Sequence, residues 1–245
     1  TGGTLNVTVG SSTMTKLAVS LASPQINGTA FTGTNTLTAQ DAYGNTATGF
    51  DASANNVTVT NSLGGTVTGL GSGGTNVLNQ AGDFTNGVAN LTSDGMIYTG
   101  TGGAGTFTFT PATGTAVTSS SVTINAGAAT KLVVTGTGTQ TAGGSQTVTV
   151  TAQDANGNTA TTYTGAKTIT FSGANASPSP ATTPTVAGTN FGTGTSMTFT
   201  AGVASATMIL YKAESAAVNA SDGTINSNTG GTLNVTVGSS TMTKL

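Results

Sequence analysis

Two short loops contain residues that could bind a metal ion. The segment Asp41-Ala-Tyr-Gly-Asn45 returns 113 positions later as Asp154-Ala-Asn-Gly-Asn158. Calcium takes about six to eight oxygen ligands, usually several from carboxylates, whereas each loop offers a single Asp. The same residues fit a tight turn in which Asp accepts backbone N–H groups while Gly and Asn adopt positive φ. We expect turns, with calcium as the alternative.

The residue assignments follow from this choice. The turn residues are Asp41, Gly44, Asn45, Asp154, Gly157 and Asn158. The calcium candidates, should the loops bind an ion, are Asp41, Asn45, Asp154 and Asn158. No other cofactor is expected.

Enzymatic chemistry lacks the residues that it needs. The chain has no His and no Cys, so neither a Ser-His-Asp nor a Cys-His nucleophile can form. A carboxylate pair would need two acids to converge, and the seven acidic residues are far apart in the sequence. The glycine-rich run 71–74 lacks the Lys and the following helix of a phosphate-binding loop. We expect no catalytic residue and no enzyme.

Composition excludes two kinds of partner. Charged residues make up 5% of the chain, against about 25% in an ordinary globular protein. Five lysines without arginine cannot neutralise a nucleic-acid backbone. No apolar run is long enough to span a membrane. The lack of cysteine fits either a reduced cytosol or a bacterial exterior that uses no disulfides. The neutral Thr-, Gly- and Asn-rich composition favours the exterior of a bacterial cell.

The elements that position the loops are predicted to be strands. Thr and Val favour strands, Gly and Asn favour turns, and apolar residues alternate with polar ones along many short runs. We therefore predict an all-β protein. Strands are predicted at 5–9, 15–19, 57–60, 87–93, 96–100, 106–110, 130–134, 147–153, 168–173, 196–200, 203–212, 216–221 and 233–237. The stretches 62–86 and 174–195 are predicted to hold edge strands and long loops.

The chain repeats at two lengths. Residues 1–17 recur without change as residues 229–245, a period of 228. Thr-Lys-Leu begins at 15, 130 and 243, which divides the period into two diverged domains, each near the size of an immunoglobulin (Ig)-like sandwich. The predicted parts are a last strand and joint of a preceding domain (1–13), domain 1 (14–127), domain 2 (128–241) and the start of the next repeat (242–245).

Three motifs resemble a known family. They are the opener Ala-Gly-Ala-Ala-Thr-Lys-Leu-Val-Val at 126–134, the strand and turn at 151–159, and Leu-Tyr-Lys-Ala-Glu at 210–214, taken as a strand. Together they resemble the tandem bacterial Ig-like repeats of large surface and adhesin proteins of the invasin/intimin type. The resemblance implies tandem Ig-like β-sandwich domains, an extracellular array that projects an adhesive tip or builds a surface layer, and no catalytic residues.

Two functions remain open on the sequence. In the first, the chain is the structural repeat region of a giant surface protein, a non-catalytic rod whose domains pack with copies of themselves into a fibre or layer. In the second, it is the solitary spacer stalk of an adhesin with a distal binding tip. A near absence of charge favours the first, because it removes the repulsion that normally blocks association. Glycan recognition by 62–86 and 174–195 is disfavoured, since these stretches lack clustered aromatic residues.

Overall fold

The regular structure that can be described in this chain is all β-structure, as the sequence predicts. The computed structural model describes residues 4–8, 10 and 12–240, and every regular element among them is a β-strand. Within these residues there is accordingly no helix with the length and apolar character needed to cross a membrane. The contacts divide the chain into two compact units, with the boundary between Asn125 and Ala126.

The described part of unit 1 contains twelve short strands. They are β1 (Lys16–Ser20), β2 (Gln25–Ile26), β3 (Thr36–Gln40), β4 (Val57–Asn61), β5 (Thr66–Thr68), β6 (Val77–Leu78), β7 (Val88–Asn90), β8 (Ile97–Thr99), β9 (Gly103–Gly105), β10 (Phe107–Pro111), β11 (Val117–Thr118) and β12 (Val122–Asn125).

Among the residues of unit 2 that can be described there are ten strands, several of them longer than those of unit 1. They are β13 (Lys131–Thr135), β14 (Thr139–Thr141), β15 (Ser145–Gln153), β16 (Gly165–Ser172), β17 (Thr185–Val186), β18 (Thr189–Asn190), β19 (Gly194–Phe199), β20 (Val203–Ile209), β21 (Ser215–Ser221) and β22 (Leu233–Gly238).

Unit 2 is a sandwich of two five-stranded sheets with Ig-like strand order. One sheet runs β13-β15-β20-β17-β18 and the other β14-β22-β21-β16-β19. The beginning of the unit is therefore divided between the sheets, and β14 pairs parallel with the last strand, β22, while β21 pairs antiparallel with its other edge. This split first strand and the order of the remaining strands are features of the Ig-like fold.

The core of unit 2 lies between its two sheets. Along β15, Val148 and Val150 are fully buried, while Thr149 between them faces outward. Ile169 and Phe171 of the opposite sheet belong to the same apolar cluster. Each such side chain stabilises the fold by about 1.5–3 kcal/mol through removal of its surface from water.

Unit 1 repeats this arrangement in shorter pieces. The order β1-β3-β7 matches the first sheet, and β2 pairs parallel with β12 as β14 does with β22. The strand that corresponds to β21 is interrupted at Thr106, which gives two separate strands, β9 and β10. β9 pairs with β12 and β10 with β4, as β21 pairs with β22 and β16. Unit 1 also has an additional two-stranded antiparallel sheet, formed by β5 and β8. Fully buried Phe31, Phe107 and Tyr98 fill the centre, with both neighbours of Phe107 packed edge-on against it.

Most predicted strands match observed ones within a few residues, but two are wrong, the first of them at 210–214. The segment 210–214 follows the end of β20 and precedes β21, so it connects two strands instead of forming one. Its polar end explains the difference, because the Lys212–Glu214 ion pair and the contacts of Glu214 with Asn175 occupy it. The stretches 62–86 and 174–195 hold short strands at sheet edges, including β6 and the β17–β18 pair, as expected.

The strand predicted at 5–9 is also wrong for the residues that can be described. Residues 4–8 form no strand, although residues 232–236 have the identical sequence and lie at and in β22. Leu5 is 83% exposed whereas Leu233 is 8% exposed, and Val7 is 69% exposed whereas Val235 is 2% exposed. The difference is the presence of β14 and β21 on either side of β22. The predicted segment 242–245 lies outside the described residues.

Candidate functional site

The two candidate loops are closed turns at the ends of β3 and β15. In the first, Asp41 N–H donates to the carbonyl of Asn45 at 2.9 Å, and in the second Asp154 N–H donates to Asn158 at 2.9 Å. Gly44 and Gly157 have φ of +89° and +86°, where a glycine is favoured. Among the described residues the non-glycine positions with positive φ are elsewhere, so the expectation of positive φ for the two Asn residues is wrong.

The carboxylate of Asp41 accepts four hydrogen bonds from three residues. Its Oδ1 accepts the backbone N–H of Tyr43 at 3.0 Å and of Asn45 at 2.9 Å. Its Oδ2 accepts the side-chain amide of Asn45 at 3.1 Å and the backbone N–H of Ser12 at 3.3 Å. The side chain is 2% exposed, so these donors replace water.

Asp154 is held in the same way. Oδ1 accepts the N–H of Asn156 and of Asn158, both at 2.9 Å, and Oδ2 accepts the Asn158 side chain at 3.0 Å. The backbone N–H of Gly127 donates to Oδ2 at 3.0 Å, in the place that Ser12 takes in unit 1. We call residues 41–45 and 154–158 the anchor turns, because each fixes the segment that precedes the first strand of its unit.

The hydrogen bonds keep both carboxyl groups ionised. The side-chain amide of Asn45, assisted by three backbone N–H donors against the effect of burial, lowers the pKa of Asp41 to about 2. Burial acts to raise the pKa of Asp154, but the bonds from Asn158, Gly127 and Asn156 outweigh it and the pKa lies below its usual range. N–H groups that point at a carboxylate favour its charged form.

Further backbone bonds hold the preceding segment beside each anchor turn. Thr15 N–H donates to the carbonyl of Gln40 at 2.9 Å, and Thr130 N–H donates to that of Gln153 at 2.8 Å. The acidic side chain and the end of the strand therefore bind the same incoming segment in both units. The role of this arrangement is mechanical, because it fixes the segment that leads into the first strand of each unit.

A calcium ion at either anchor turn would compete with hydrogen bonds that are already formed. Each anchor turn supplies one carboxylate, and the oxygen atoms of that carboxylate already accept N–H groups. Across residues 4–8, 10 and 12–240 no group of three or more His, Cys, Asp or Glu side chains could hold a metal. An ion at Asp41 with Asn45, or at Asp154 with Asn158, would have to displace those donors.

The residues that complete the anchor, Ser12 and Gly127, were not identified from the sequence. Each lies four positions before the Lys of its Thr-Lys-Leu motif, Lys16 or Lys131. This common spacing was the available signal. It was not recognised because a donor that uses only its backbone N–H leaves no preference for a particular side chain, and Ser and Gly share none.

A second polar cluster occurs in unit 2. Tyr163 Oη donates to Asp222 Oδ2 at 2.6 Å, and Lys167 Nζ lies 4.8 Å from the centre of the Tyr163 ring. Burial, and then the bond to Asp222, raises the pKa of Tyr163. Asp222 also accepts the N–H of Thr224 and Ile225, both at 2.8 Å. These contacts stabilise a turn. The residue of unit 1 that corresponds to Tyr163 is Phe50, which has no hydroxyl group to donate.

One carboxylate in unit 1 is poorly accommodated. Asp94 Oδ2 is buried and accepts no hydrogen bond. Burial, followed by the charge of Asp83, raises the pKa of Asp94 to about 6.

A cavity in unit 1 is lined by both polar and apolar side chains. Its volume is about 590 Å³, and its lining includes Met14, Phe50, Asp51, Asn55 and Thr113. Asp51 is the acidic residue among the lining residues, and its Oδ1 accepts the N–H of Ser53.

The strands themselves carry very little charge. The charged residues within them are Lys16, Lys131 and Lys167, and all seven acidic residues lie in turns and loops. Alternation places Lys167 on the inner side of its sheet, against Tyr163. The outer side of the sheet β14-β22-β21-β16-β19 is therefore uncharged. We call it the neutral face, and its exposed residues include Thr168, Thr170, Ser196, Thr198, Ala217 and Asn234.

Comparison with known proteins gives similarity in solved structures alone. No protein-family model matches the chain, and no curated protein matches it. The structure of InvD from Yersinia pseudotuberculosis is 20% identical over 95% of this chain and 59% of that chain, with a TM-score of 0.36. The adhesin InvE of the same organism is 15% identical over 91% and 57%, with a TM-score of 0.34.

Domains 4 and 5 of the S-layer protein SbsC are also similar. They are 19% identical over 93% of this chain and 100% of that chain, with a TM-score of 0.30. The chain thus spans somewhat more than half of each Yersinia structure. At these identities and TM-scores the similarities carry no conclusion about function.

Proposed function

We propose that the chain is a structural, non-catalytic segment of an extracellular bacterial surface protein, in which Ig-like units are repeated in series and associate with copies of themselves. The observation that carries the proposal is the anchor turn, which occurs twice. In both units a buried Asp, at 41 or 154, binds the backbone of the segment that leads into the first strand. A connection fixed in the same way at each unit suits a serial array.

The chemistry of the acidic side chains supports a structural role. Asp41, Asp154 and Asp222 each accept several N–H groups within turns. Glu214 pairs with Lys212 at 3.0 Å. These carboxylates are occupied by structural contacts, which leaves them unsuited to act as acids, bases or nucleophiles.

The neutral face supports association between copies. Exposed sheets and edges in soluble proteins usually carry charged side chains, particularly Lys, that oppose contact with other sheets. Here Thr168, Thr170 and Thr198 present short hydroxyl side chains instead. Two such faces can approach without desolvating or opposing charges. This favours lateral packing into a fibre or layer over a solitary spacer stalk, which remains the second candidate.

Sedimentation velocity over a concentration series tests the proposal. The unmodified chain should form species larger than a monomer as its concentration rises. Adding two positive charges to the neutral face, with Thr170→Lys and Thr198→Lys, should shift the equilibrium back to the monomer. The matched control, Thr224→Lys with Asn228→Lys, adds the same charge to exposed turns and should leave association unchanged. Monomers at all concentrations would favour the spacer stalk.

A further inference from the structure

One sheet of unit 2 ends in a strand whose outer side has no partner strand among the described residues. β19 (Gly194–Phe199) is the last strand of the sheet β14-β22-β21-β16-β19, and its backbone pairs with β16. In an antiparallel ladder, alternate residues direct their N–H and C=O groups away from the neighbouring strand. Part of the backbone of β19 therefore presents donors and acceptors at an open edge.

The other edges of unit 2 are short or covered. β14 and β18 have three and two residues. β13 is longer, but Leu132 N–H donates to the carbonyl of Asn226 at 2.9 Å. Val134 N–H donates in the same way to the carbonyl of Gly231 at 2.7 Å. β19, with six residues, is thus the long open edge in the described part of this unit.

The corresponding edge of unit 1 is short and partly covered. There β6 pairs with β4 as β19 pairs with β16, but it has two residues and a turn follows it. In that turn Asp83 accepts the N–H of Asn79 at 2.7 Å, which puts a carboxylate beside the end of β6. Ser72 N–H donates to Asn79 Oδ1 at 2.8 Å. Gly71 lies so near the carbonyl of Val77 that a Cβ would collide with it. A short strand, a charge and a loop are usual ways to block an edge.

β19 is built without these features. Its sequence, Gly-Thr-Ser-Met-Thr-Phe, contains no charged residue and no proline. Its register with β16 is continuous over six pairs, from Gly194 opposite Thr170 to Phe199 opposite Gly165, so no bulge bends it away. A regular, uncharged edge of this length is a template for a further strand.

We propose that β19 pairs antiparallel with β19 of a second copy of the chain, about a two-fold axis perpendicular to the sheet. The occupant is a second copy because the strand is complementary to itself in this arrangement. The outward N–H and C=O groups of each copy meet those of the other. The axis also keeps the same face of both sheets on the same side. Exposed Ser196 and Thr198 then meet short hydroxyl side chains, while buried Met197 stays on the core side.

Edge pairing is distinct from lateral packing of neutral faces. It rests on the proposed function only in that both take a second copy as the partner. It extends the sheet at its edge, whereas lateral packing covers the outer side of the sheet. A contact about a two-fold axis closes after two copies, so edge pairing alone gives a dimer and larger assemblies need the faces. Either contact can fail without the other.

Amide hydrogen exchange, resolved by residue with NMR, tests the pairing in the full chain. The outward amides of 194–199 should exchange more slowly as the protein concentration rises. The slowing should reach about tenfold where about nine in ten chains are paired, because exchange proceeds through the unpaired fraction. Packing of neutral faces supplies no acceptor for these amides. Exchange that is independent of concentration in a chain that still associates would overturn edge pairing and leave face packing standing.

Two matched charges separate the edge from the face. Ser196→Lys places its charge on β19, close to the same position of the partner across the joined edge. Thr168→Lys places the same charge on the residue paired with Ser196, one strand further from the edge. With strands about 4.8 Å apart, the two charges at position 168 would lie about 14 Å apart, beyond the Debye length of about 8 Å in physiological salt. We expect the slowing to be lost in Ser196→Lys and kept in Thr168→Lys.

Mixtures of opposite charge give the converse result. An equimolar mixture of Ser196→Lys and Ser196→Glu should recover the slow exchange of the β19 amides, since the two charges then attract across the edge. Recovery would also show that both variants fold. The mixture of Thr168→Lys and Thr168→Glu should behave as its components do. Equal loss of slow exchange in both Lys variants, or no recovery in the Ser196 mixture, would show that β19 does not pair with itself.

Discussion

At the residue scale, the important groups are carboxylates that hold backbone. Asp41 and Asp154 are almost fully buried, yet each remains charged because N–H groups surround it. Such bonds are worth most where water is excluded, and the loss of one partner leaves a buried donor unsatisfied. The two anchor turns should therefore be among the most sensitive positions outside the apolar cores.

Substitution of the anchor measures this. Asp154→Asn keeps the size of the side chain but directs an NH₂ group at donors, including Gly127 N–H or the Asn158 amide. We expect unit 2 to lose about 1–3 kcal/mol in its free energy of unfolding, measured by urea denaturation. Asp51→Asn, at a turn where Asp51 Oδ1 accepts Ser53 N–H, is the control and should cost less than about 0.5 kcal/mol. Equal effects would contradict the anchoring role.

The pH dependence of Asp41 has a defined sign. Its pKa in the folded chain, about 2, lies below the unfolded value of 3.8. The stabilisation is complete above the unfolded pKa and is lost as the pH falls through the folded pKa. Thermal denaturation between about pH 5 and pH 2 should therefore show a larger loss of stability in the unmodified chain than in Asp41→Asn. Parallel curves for the two proteins would disprove the contribution.

Asp94 should behave in the opposite way. Its pKa is raised from 3.8 to about 6, so the folded state binds the proton more tightly and stability falls as the pH rises between these values. Asp94→Asn removes the charge that burial penalises. The variant should melt at a higher temperature than the unmodified chain at about pH 8, with little difference at about pH 4. A difference independent of pH would point to packing instead.

At the scale of elements, the chain contains one short sequence in two different structural contexts. The segments 4–8 and 232–236 have one sequence, but β22 is a strand and residues 4–8 are not. Intrinsic preference for β-structure is thus insufficient, and pairing with β14 and β21 determines the outcome. Strand preference depends strongly on neighbours in this way.

Matched substitutions quantify the effect of the neighbours. Leu233→Ala should cost unit 2 about 2–4 kcal/mol, because it leaves a cavity between the sheets. Leu5→Ala changes the same residue in the same local sequence, but in a position that is 83% exposed, and should alter stability by less than about 0.5 kcal/mol. Denaturation of the two variants beside the unmodified chain gives both numbers. A comparable loss at Leu5 would mean that residues 4–8 are packed.

Local alternation was enough to predict most strands, since Val148, Val150 and their counterparts point inward with the expected period of two. It was insufficient at 210–214, where the polar contacts of Glu214 take the chain out of the sheet. The turns at Asp41 and Asp154 were predictable from residue type and spacing. Their contacts with Ser12 and Gly127 were not, because backbone donors distant in sequence leave no residue preference.

At the scale of the whole molecule, repetition and neutrality are the two features that concern function. Both units bind their leading segment through an anchor turn, and both have strands nearly free of charge. The first feature suits units connected in series. The second removes the repulsion that keeps exposed sheets apart. Neither feature requires a reactive site, and together they favour a protein that assembles with copies of itself.

Electron microscopy of the unmodified chain at high concentration tests this account most directly. If the units associate through their neutral faces, the chain should form ordered filaments or sheets, and the Thr170→Lys with Thr198→Lys variant should remain dispersed under the same conditions. Dispersed single particles from the unmodified chain, at every concentration and salt condition tried, would contradict self-association and leave the spacer stalk as the function.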